Sequence, residues 1–287
     1  MVDGLIQPAQ RSQALLDDIA TTQLDPGQMA YWWLGQSGYA FKTASMTWYV
    51  DLYLSEHLTH KYANTPKPHI RMTEAPIRGH ELREVGLVFS SHKHSDHLDP
   101  GTMPDLFEAS PSAKLVLPKA LVQHAVEMGL DEARLIPTRG DETLTLGALT
   151  VHVIPSAHPG LDYDEARGYS FLGFIFQIDG LTIYHSGDTV VYEGLSQRLS
   201  AYDLDSVFLP INGTDERRAA LNVPPNMDMD DAIQLAQTVN ARLLVPHHYD
   251  MFTFNTVDVK DFIVKAREAE QAYQVLQTAQ KYIYTKG

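Results

Sequence analysis

The stretch Ser91-His92-Lys93-His94-Ser95-Asp96-His97 places three imidazoles and one carboxylate within six consecutive positions. It follows the run Val85-Gly86-Leu87-Val88-Phe89, whose apolar side chains are typical of a buried β-strand. Alternate side chains of an extended segment point to the same side, so His92 and His94 are predicted to converge on one metal ion. A turn at Ser95 would direct Asp96 and His97 toward a neighbouring ion. The stretch therefore predicts a metal site where a strand ends.

Further residues that can bind a metal follow other apolar strands, and these are His158, Asp188 and the pair His247-His248. A carboxylate has two oxygens, so Asp188 can bridge two ions held about 3.5–4 Å apart. The residues alone leave the choice between His247 and His248 open. The predicted ligands of one ion are His92, His94 and His158, those of the other are Asp96, His97 and one histidine of the pair, and Asp188 is shared.

The composition limits the classes of function. The chain has 287 residues, 44% of them hydrophobic, and 22 Lys and Arg against 36 Asp and Glu give a net charge of −14. This acidic balance excludes a nucleic-acid polymer as the main partner. There is no cysteine, so histidine and carboxylate side chains are the strong metal ligands. A membrane or secretory segment would need an apolar run of about eighteen residues or a charged start, and the sequence has neither the run nor such a start in residues 1–8. We therefore expect no membrane partner and a cytoplasmic location.

Strands and helices alternate along the chain, which predicts the α/β class. A hairpin is predicted over residues 170–184, with its turn at Asp179-Gly180. Segment 55–84 has no periodic pattern and contains three prolines, so it is a candidate lid. Helices are predicted over residues 10–20, from Pro118 to Met128 and over 228–240, and strands over 31–34, 39–42, 46–50, 114–117, 142–154 in two pieces, 206–211 and 242–245.

The stretch His92–His97 is also the signature HxHxDH, and through it the chain resembles the metallo-β-lactamase superfamily. The further order of ligands is similar, with His158 followed by Asp188 in His185-Ser186-Gly187-Asp188. Within the superfamily the chain is most similar to the L-ascorbate-6-phosphate lactonase group, through Trp32-Trp33-Leu34-Gly35, Tyr184–Asp188 and Ala241–Pro246. In these relatives the ligand follows the proline after one residue, which implies His248 rather than His247.

The resemblance implies an αββα sandwich, in which two mixed sheets lie face to face with helices on the outer faces. It also implies a single domain over residues 1–287, with 55–84 as a lid or insertion, and a homo-oligomer. Ligands with nitrogen and oxygen donors suit two divalent ions of zinc or manganese, and also iron. The lactonase resemblance favours manganese.

The expected reaction is hydrolysis of a small polar or phosphorylated lactone or ester by hydroxide that two metal ions generate from water. Asp96 and Asp188 are the predicted catalytic residues, and Asp96 could accept the proton of the nucleophile. The loop after strand 206–211 carries Asn212, Arg217 and Arg218, whose side chains could bind a substrate phosphate. The alternative for this loop is an exposed charged surface.

Three other functions are open at this point. The same ions could cleave a small cyclic or lipid phosphodiester, because they can stabilise the charge of a phosphoryl transition state. A protein of this fold could bind a ligand without turnover, although the complete ligand set argues against that. Oxygen chemistry at a single iron ion is also known for the fold, and the number of bound ions would distinguish it from hydrolysis with two ions.

Overall fold

A computed structural model describes residues 4–287. The strands in these residues are β1 (Gln28–Gly35), β2 (Gly38–Lys42), β3 (Thr47–Val50), β4 (Leu87–Phe89), β5 (Lys114–Pro118), β6 (Leu135–Thr138), β7 (Glu142–Leu146), β8 (Leu149–Pro155), β9 (Tyr163–Asp164), β10 (Gly168–Tyr169), β11 (Leu172–Ile178), β12 (Leu181–His185), β13 (Ser206–Pro210), β14 (Leu243–His247) and β15 (Lys281–Thr285).

The helices of the same region are α1 (Ser12–Thr21), α2 (His57–Lys61), α3 (Met103–Ala109), α4 (Val122–Glu127), α5 (Leu195–Leu199), α6 (Glu216–Ala220), α7 (Met229–Thr238) and α8 (Val259–Glu268). Single 3-10 turns cover Gly79–Glu81, Lys119–Leu121 and Glu132–Arg134. No helix within residues 4–287 has the length and apolar character needed to cross a bilayer.

The strands form two large mixed sheets and one small ribbon. The first sheet has the order β15-β1-β2-β3-β4-β5-β6, and its pairs from β3 to β6 are parallel. The second sheet has the order β14-β13-β12-β11-β8-β7, and its pairs from β14 to β12 are parallel. The ribbon consists of β9 and β10. In both large sheets the remaining pairs are antiparallel.

The two sheets pack face to face around an aromatic core. Along β1 the side chains alternate, so Tyr31 and Trp33 belong to the core between the sheets and Trp32 belongs to the core on the other side. Phe41 of the first sheet meets Phe208 of the second, with ring centroids 5.0 Å apart in an edge-to-face arrangement. The alternation of buried aromatics therefore holds one sheet against the other.

Helices cover the outer face of each sheet. Leu15 of α1 and Leu106 of α3 belong to the second core cluster, which lies behind the first sheet. Ile233 of α7 and Phe262 of α8 pack on the second sheet. This arrangement confirms the predicted αββα sandwich. The assignment of residues 1–287 to a single domain stays a prediction. The cytoplasmic location was predicted in part from residues 1–8, of which residues 1–3 lie outside the described residues.

Most predicted elements are present with shifted ends. The hairpin of β11 and β12 turns at Asp179 and Gly180, whose φ angles of +51° and +82° are those expected for a two-residue turn. Segment 55–84 contains only α2, the 3-10 turn at Gly79–Glu81 and isolated bridges. Arg71 of this segment is buried, and its guanidinium pairs with Glu56 at 3.0 Å and donates to the Ser55 carbonyl, both in the same segment. The guanidinium also lies over the ring of Tyr53 outside the segment, 4.8 Å from the ring centroid.

Candidate metal centre

The candidate metal centre lies where strands of both sheets end. Residues 91–97 follow β4, His158 follows β8, Asp188 follows β12 and His248 follows β14. A tight turn bends the first of these segments, since the backbone N–H of His97 donates to the His94 carbonyl at 2.9 Å. Parallel neighbours of one sheet end at the same edge, so the fold brings together residues that are far apart in the sequence.

The seven predicted ligands lie in two groups. His92, His94, His158 and Asp188 have donor atoms within 4.8 Å of one another. Asp96, His97 and His248 form the second group by the same criterion. The histidines and Asp96 divide as predicted from the sequence, whereas Asp188, predicted to be shared, meets this criterion only in the first group. The ligand role of each residue stays a prediction.

Asp188 lies between the two groups. Its Oδ1 is 3.3 Å from His97 Nε2, and its Oδ2 is 3.3 Å from His248 Nε2 and 3.7 Å from His158 Nε2. The preceding Gly187 has a φ of +59°, and a Cβ there would lie 2.6 Å from the Ser91 Cβ. A side chain at this position would therefore separate the two loops that carry the donors.

Hydrogen bonds on the outer side orient the imidazoles. His97 Nδ1 donates to Asp51 Oδ2 at 2.8 Å, and His158 Nδ1 donates to the Pro225 carbonyl at 3.0 Å. In a neutral ring this leaves a lone pair on Nε2. Within residues 4–287, the Nε2 atoms of His92 and His97 and Asp188 Oδ1 are buried without a hydrogen-bond partner. Buried polar atoms without partners are uncommon and costly, so this donor set fits bound cations.

The electrostatics of the two groups differ. Burial lowers the pKa of His92 well below its ordinary value and that of His94 to about 4, so both rings are neutral at pH 7. Burial alone would also lower the pKa of His97, but the carboxylates of Asp188, Asp51 and Asp96 outweigh it and raise the pKa well above the ordinary value. The second group is therefore a place where buried carboxylates favour positive charge.

The structure separates the two adjacent histidines. His248 Nε2 faces Asp188 Oδ2, whereas His247 Nδ1 lies 2.9 Å from the Ser37 hydroxyl. The His247 ring stacks on His185, with centroids 5.2 Å apart and planes within 5°. His247 therefore packs beneath the site, as expected if His248 is the ligand.

Two buried residues at the site were missed by the sequence analysis. Asp51 directly follows β3 and contacts His97, and Gln36 directly follows β1 and contacts Asp96 and His248. Both obey the rule that polar residues follow apolar strands, which the sequence analysis applied only to four later strands. That signal could have found them.

A cavity of about 750 Å³ opens onto both groups. Lys61, Lys67 and His69 of segment 55–84 line it on one side, and Lys93 and His124 contribute further basic groups. Its only acidic lining residues among residues 4–287 are Asp96 and Asp188. The lysines that form ion pairs in the described region are Lys265, Lys281 and Lys286, so none of the three cavity lysines has a carboxylate oxygen within 4 Å there. An acidic protein thus places unpaired positive charge around this opening.

The three predicted substrate residues do not line the cavity in residues 4–287. Arg218 is buried, and its guanidinium is occupied by Asp215 at 2.6 Å, by Asn255 at 2.7 Å and by the Asn212 carbonyl at 2.9 Å. Arg217 lies over the Phe254 ring, 5.2 Å from its centroid. The side chains of these residues are therefore engaged outside the cavity lining. Direct contact between them and a substrate stays a prediction, and this geometry does not favour it.

The side chain of Asn212 binds two residues that line the cavity and does not line it itself. It donates to Asn255 at 2.9 Å and accepts from Asn226 at 3.1 Å, and both of these asparagines line the cavity. A local interaction explains why Arg218 is not available to bind a substrate phosphate, the role predicted for it from the sequence. Asp215 caps α6 by accepting from the Arg218 N–H, which turns the arginine back onto its own loop.

Comparisons with known proteins agree with this architecture. A model of the beta-lactamase superfamily domain matches residues 63–249, more than half of the chain. A probable L-ascorbate-6-phosphate lactonase, UlaG, of Escherichia coli (strain SMS-3-5) is 22% identical over 279 residues, which cover 87% of this chain and 77% of the relative.

Two solved structures show the same fold. An isothiocyanate hydrolase from Delia radicum gut bacteria superposes with a TM-score of 0.71 at 17% identity, over 90% of this chain and 100% of that chain. A metallo hydrolase from the archaeon Ignicoccus hospitalis superposes with a TM-score of 0.66 at 18% identity, over 91% of this chain and 100% of that chain. With the sandwich fold, the matched domain and the His/Asp groups in place, the chain belongs to the metallo-β-lactamase superfamily and is a metal-dependent hydrolase.

Proposed function

We propose that the protein hydrolyses a small anionic lactone or ester, such as a phosphorylated one, with two divalent ions. The observation that carries this proposal is the position of Asp188, whose two oxygens face both groups of candidate ligands. The first ion would be held by His92, His94, His158 and Asp188, and the second by Asp96, His97, His248 and Asp188. Two such ions would generate hydroxide from water at neutral pH and polarise the oxygen of the scissile bond.

Asp96 and Asp188 would have different roles in this reaction. Both carboxylates line the cavity, but the side chain of Asp96 is 14% exposed whereas that of Asp188 is 4% exposed. Asp96 is therefore the more accessible of the two carboxylates, and it is our candidate to accept the proton of the attacking water. Asp188 is enclosed and holds the two groups together.

The charge of the cavity supports an anionic substrate. Lys61, Lys67 and Lys93 surround the opening without ion-pair partners, and unpaired cations attract an anionic ligand. The volume of about 750 Å³ is in the range of small-molecule sites. The similarity to the probable lactonase suggests a phosphorylated lactone. Zinc, manganese and iron all suit the donor atoms, and the cytoplasmic location and the homo-oligomer stay predictions.

A substrate panel before and after chelation tests the proposal. The protein, stripped with a chelator and reloaded with Zn²⁺, Mn²⁺ or Fe²⁺, would be offered a phosphorylated sugar lactone, the same lactone without phosphate and bis-(p-nitrophenyl) phosphate. We expect faster turnover of the phosphorylated lactone than of the neutral one, and no turnover without metal. Turnover of the phosphodiester alone would favour the phosphodiesterase. If none of the loaded forms turns over any substrate, the proposal is wrong and a binding protein becomes the better account.

A further inference from the structure

The side chain of Gln36 reaches into the second group of candidate ligands. Its Nε2 lies 2.8 Å from Asp96 Oδ2 and 3.0 Å from His248 Nε2. Gln36 is fully buried. The end of this side chain is therefore within hydrogen-bond distance of two atoms that would bind the second ion.

The backbone holds Gln36 at this place. Its φ is +52°, a left-handed conformation that non-glycine residues seldom adopt. Its carbonyl accepts from the Trp33 indole N–H at 2.9 Å and from the His248 backbone N–H at 3.2 Å. A strained conformation persists where its surroundings determine it, and such residues are concentrated at functional sites.

The spacing of these atoms is that of ligands around one ion. Ligand bonds to divalent ions of this kind are about 2.1 Å long, and adjacent ligand atoms of an octahedral ion are then about 3.0 Å apart. The amide end of Gln36 stands at this spacing from both Asp96 and His248. With Asp188 shared as proposed above, four residues would hold each ion. An oxygen at the position of the Gln36 amide would be a fifth protein ligand of the second ion.

The two ends of the amide are in different surroundings. The NH₂ group faces the carboxylate of Asp96, and the other end, Oε1, is buried without a hydrogen-bond partner in residues 4–287. A cation between Asp96 and His248 would repel the NH₂ group and attract the oxygen. Rotation about the last side-chain bond exchanges the two, and this torsion has two broad, nearly equivalent orientations.

We infer that Gln36 is a further protein ligand of the second ion, through Oε1 after rotation of its amide. An amide oxygen is a hard ligand and suits Mn²⁺ better than a softer ligand would. Gln36 therefore biases the second position toward Mn²⁺ over Zn²⁺. The inference rests on the proposed function, because it needs two ions per chain.

Metal titration of variants tests this inference without any substrate. Metal-free protein would be titrated with Mn²⁺ while the electron paramagnetic resonance signal of free Mn²⁺ is recorded, and a parallel titration would use Zn²⁺ against a competing chelator. The variants are Gln36→Leu, which removes the amide, and Gln36→Glu, which keeps an oxygen at the position. Gln271→Leu is the matched control, since Gln271 is also buried but its amide binds the Ala241 and Ala272 carbonyls.

We expect wild type, Gln36→Glu and the control to bind two Mn²⁺. In Gln36→Leu the Kd of the second Mn²⁺ should rise at least about tenfold, with the first site unchanged and a smaller rise for Zn²⁺. The inference is wrong if Gln36→Leu binds both ions as wild type does, if it loses both ions equally, or if Gln36→Glu behaves like Gln36→Leu. A wild type that binds fewer than two ions would overturn the dinuclear proposal itself, and this inference with it.

Discussion

His97 Nδ1 lies 2.8 Å from Asp51 Oδ2, and neither side chain is exposed. The same carboxylate accepts from the backbone N–H and the hydroxyl of Ser91, both at 2.7 Å. Asp51 thus joins the end of β3 to the start of the loop that carries the first ligands. A carboxylate on the outer nitrogen of a metal-binding histidine fixes the ring and makes its other nitrogen a better ligand.

Replacing Asp51 by Asn should weaken binding of the second ion by about ten- to a hundredfold, because the amide keeps the shape and loses the charge. Metal titration of the stripped protein would measure this change. Asp205→Asn is the control, since Asp205 is equally buried but accepts from Thr182 and Arg242. Equal loss of metal in both variants, or none in Asp51→Asn, would show that Asp51 has no particular role at the site.

Substitution of the adjacent histidines should separate their roles. His248→Ala should bind one ion and lose turnover, because its ring faces Asp188. His247→Asn should keep two ions, since its contact is with the Ser37 hydroxyl and an amide can replace that bond. Metal content and melting temperature, measured for both, would decide. Loss of an ion from His247→Asn alone would reverse the assignment.

Neutralising the cavity lysines should affect substrate affinity more than turnover. For Lys61→Gln, Lys67→Gln and Lys93→Gln together, we expect KM for an anionic substrate to rise about tenfold, kcat to change little, and KM for a neutral ester to stay the same. In wild type the KM for the anionic substrate should also rise with salt. Lys114→Gln is the control, because Lys114 is exposed at the start of β5. An equal change for neutral and anionic substrates would contradict the electrostatic account.

Asp18 should stabilise the fold above the pKa of an unfolded aspartate and lose this effect in stronger acid. It accepts from Lys281 at 2.6 Å and from the Trp32 indole at 2.9 Å, which ties α1 to β15 and β1. Burial alone would raise its pKa, but hydrogen bonds from Lys281, Gln10 and Trp32 lower it below the usual value. A lowered pKa in the folded state gives stability above the unfolded pKa, and this stability is lost as the pH falls through the folded value.

Asp18→Asn should therefore reduce the free energy of unfolding by about 1 kcal/mol at pH 7, and by less as the pH approaches 3. Urea denaturation at both pH values would measure the difference. Asp17→Asn is the neighbouring control, because Asp17 is exposed and its carboxylate accepts only from Gln13 among the side chains of residues 4–287. If Asp18→Asn loses the same free energy of unfolding at both pH values, the assigned charge interaction is contradicted.

Local patterns in the sequence predict the parts of the structure that depend on near neighbours. The spacing of His92, His94, Asp96 and His97 indicates both groups because one turn places all four. The turn at Asp179-Gly180 is likewise a property of two residues. Once the histidines are taken as ligands, the sequence also predicts Asp188 as a shared carboxylate, and its oxygens lie within 3.7 Å of histidines from both groups.

Contacts between distant strands are harder to predict. Asp51 follows β3 and contacts His97 in the loop after the neighbouring strand β4. Gln36 follows β1 and contacts Asp96 in the same loop and His248 after β14 of the second sheet, so its partners depend on how the two sheets meet. Arg218 has the residue type of a phosphate ligand, but its cap residue Asp215 and the buried Asn255 occupy it. Residue type alone does not show whether a side chain is already engaged within the fold.

The most direct test of the central claim is anomalous diffraction from crystals of the protein grown with Mn²⁺ or Zn²⁺. We predict two peaks per chain about 3.5–4 Å apart, one between His92, His94 and His158, the other beside Asp96, His97 and His248, and Asp188 in contact with both. A single peak, or two peaks that do not share Asp188, would contradict the dinuclear centre.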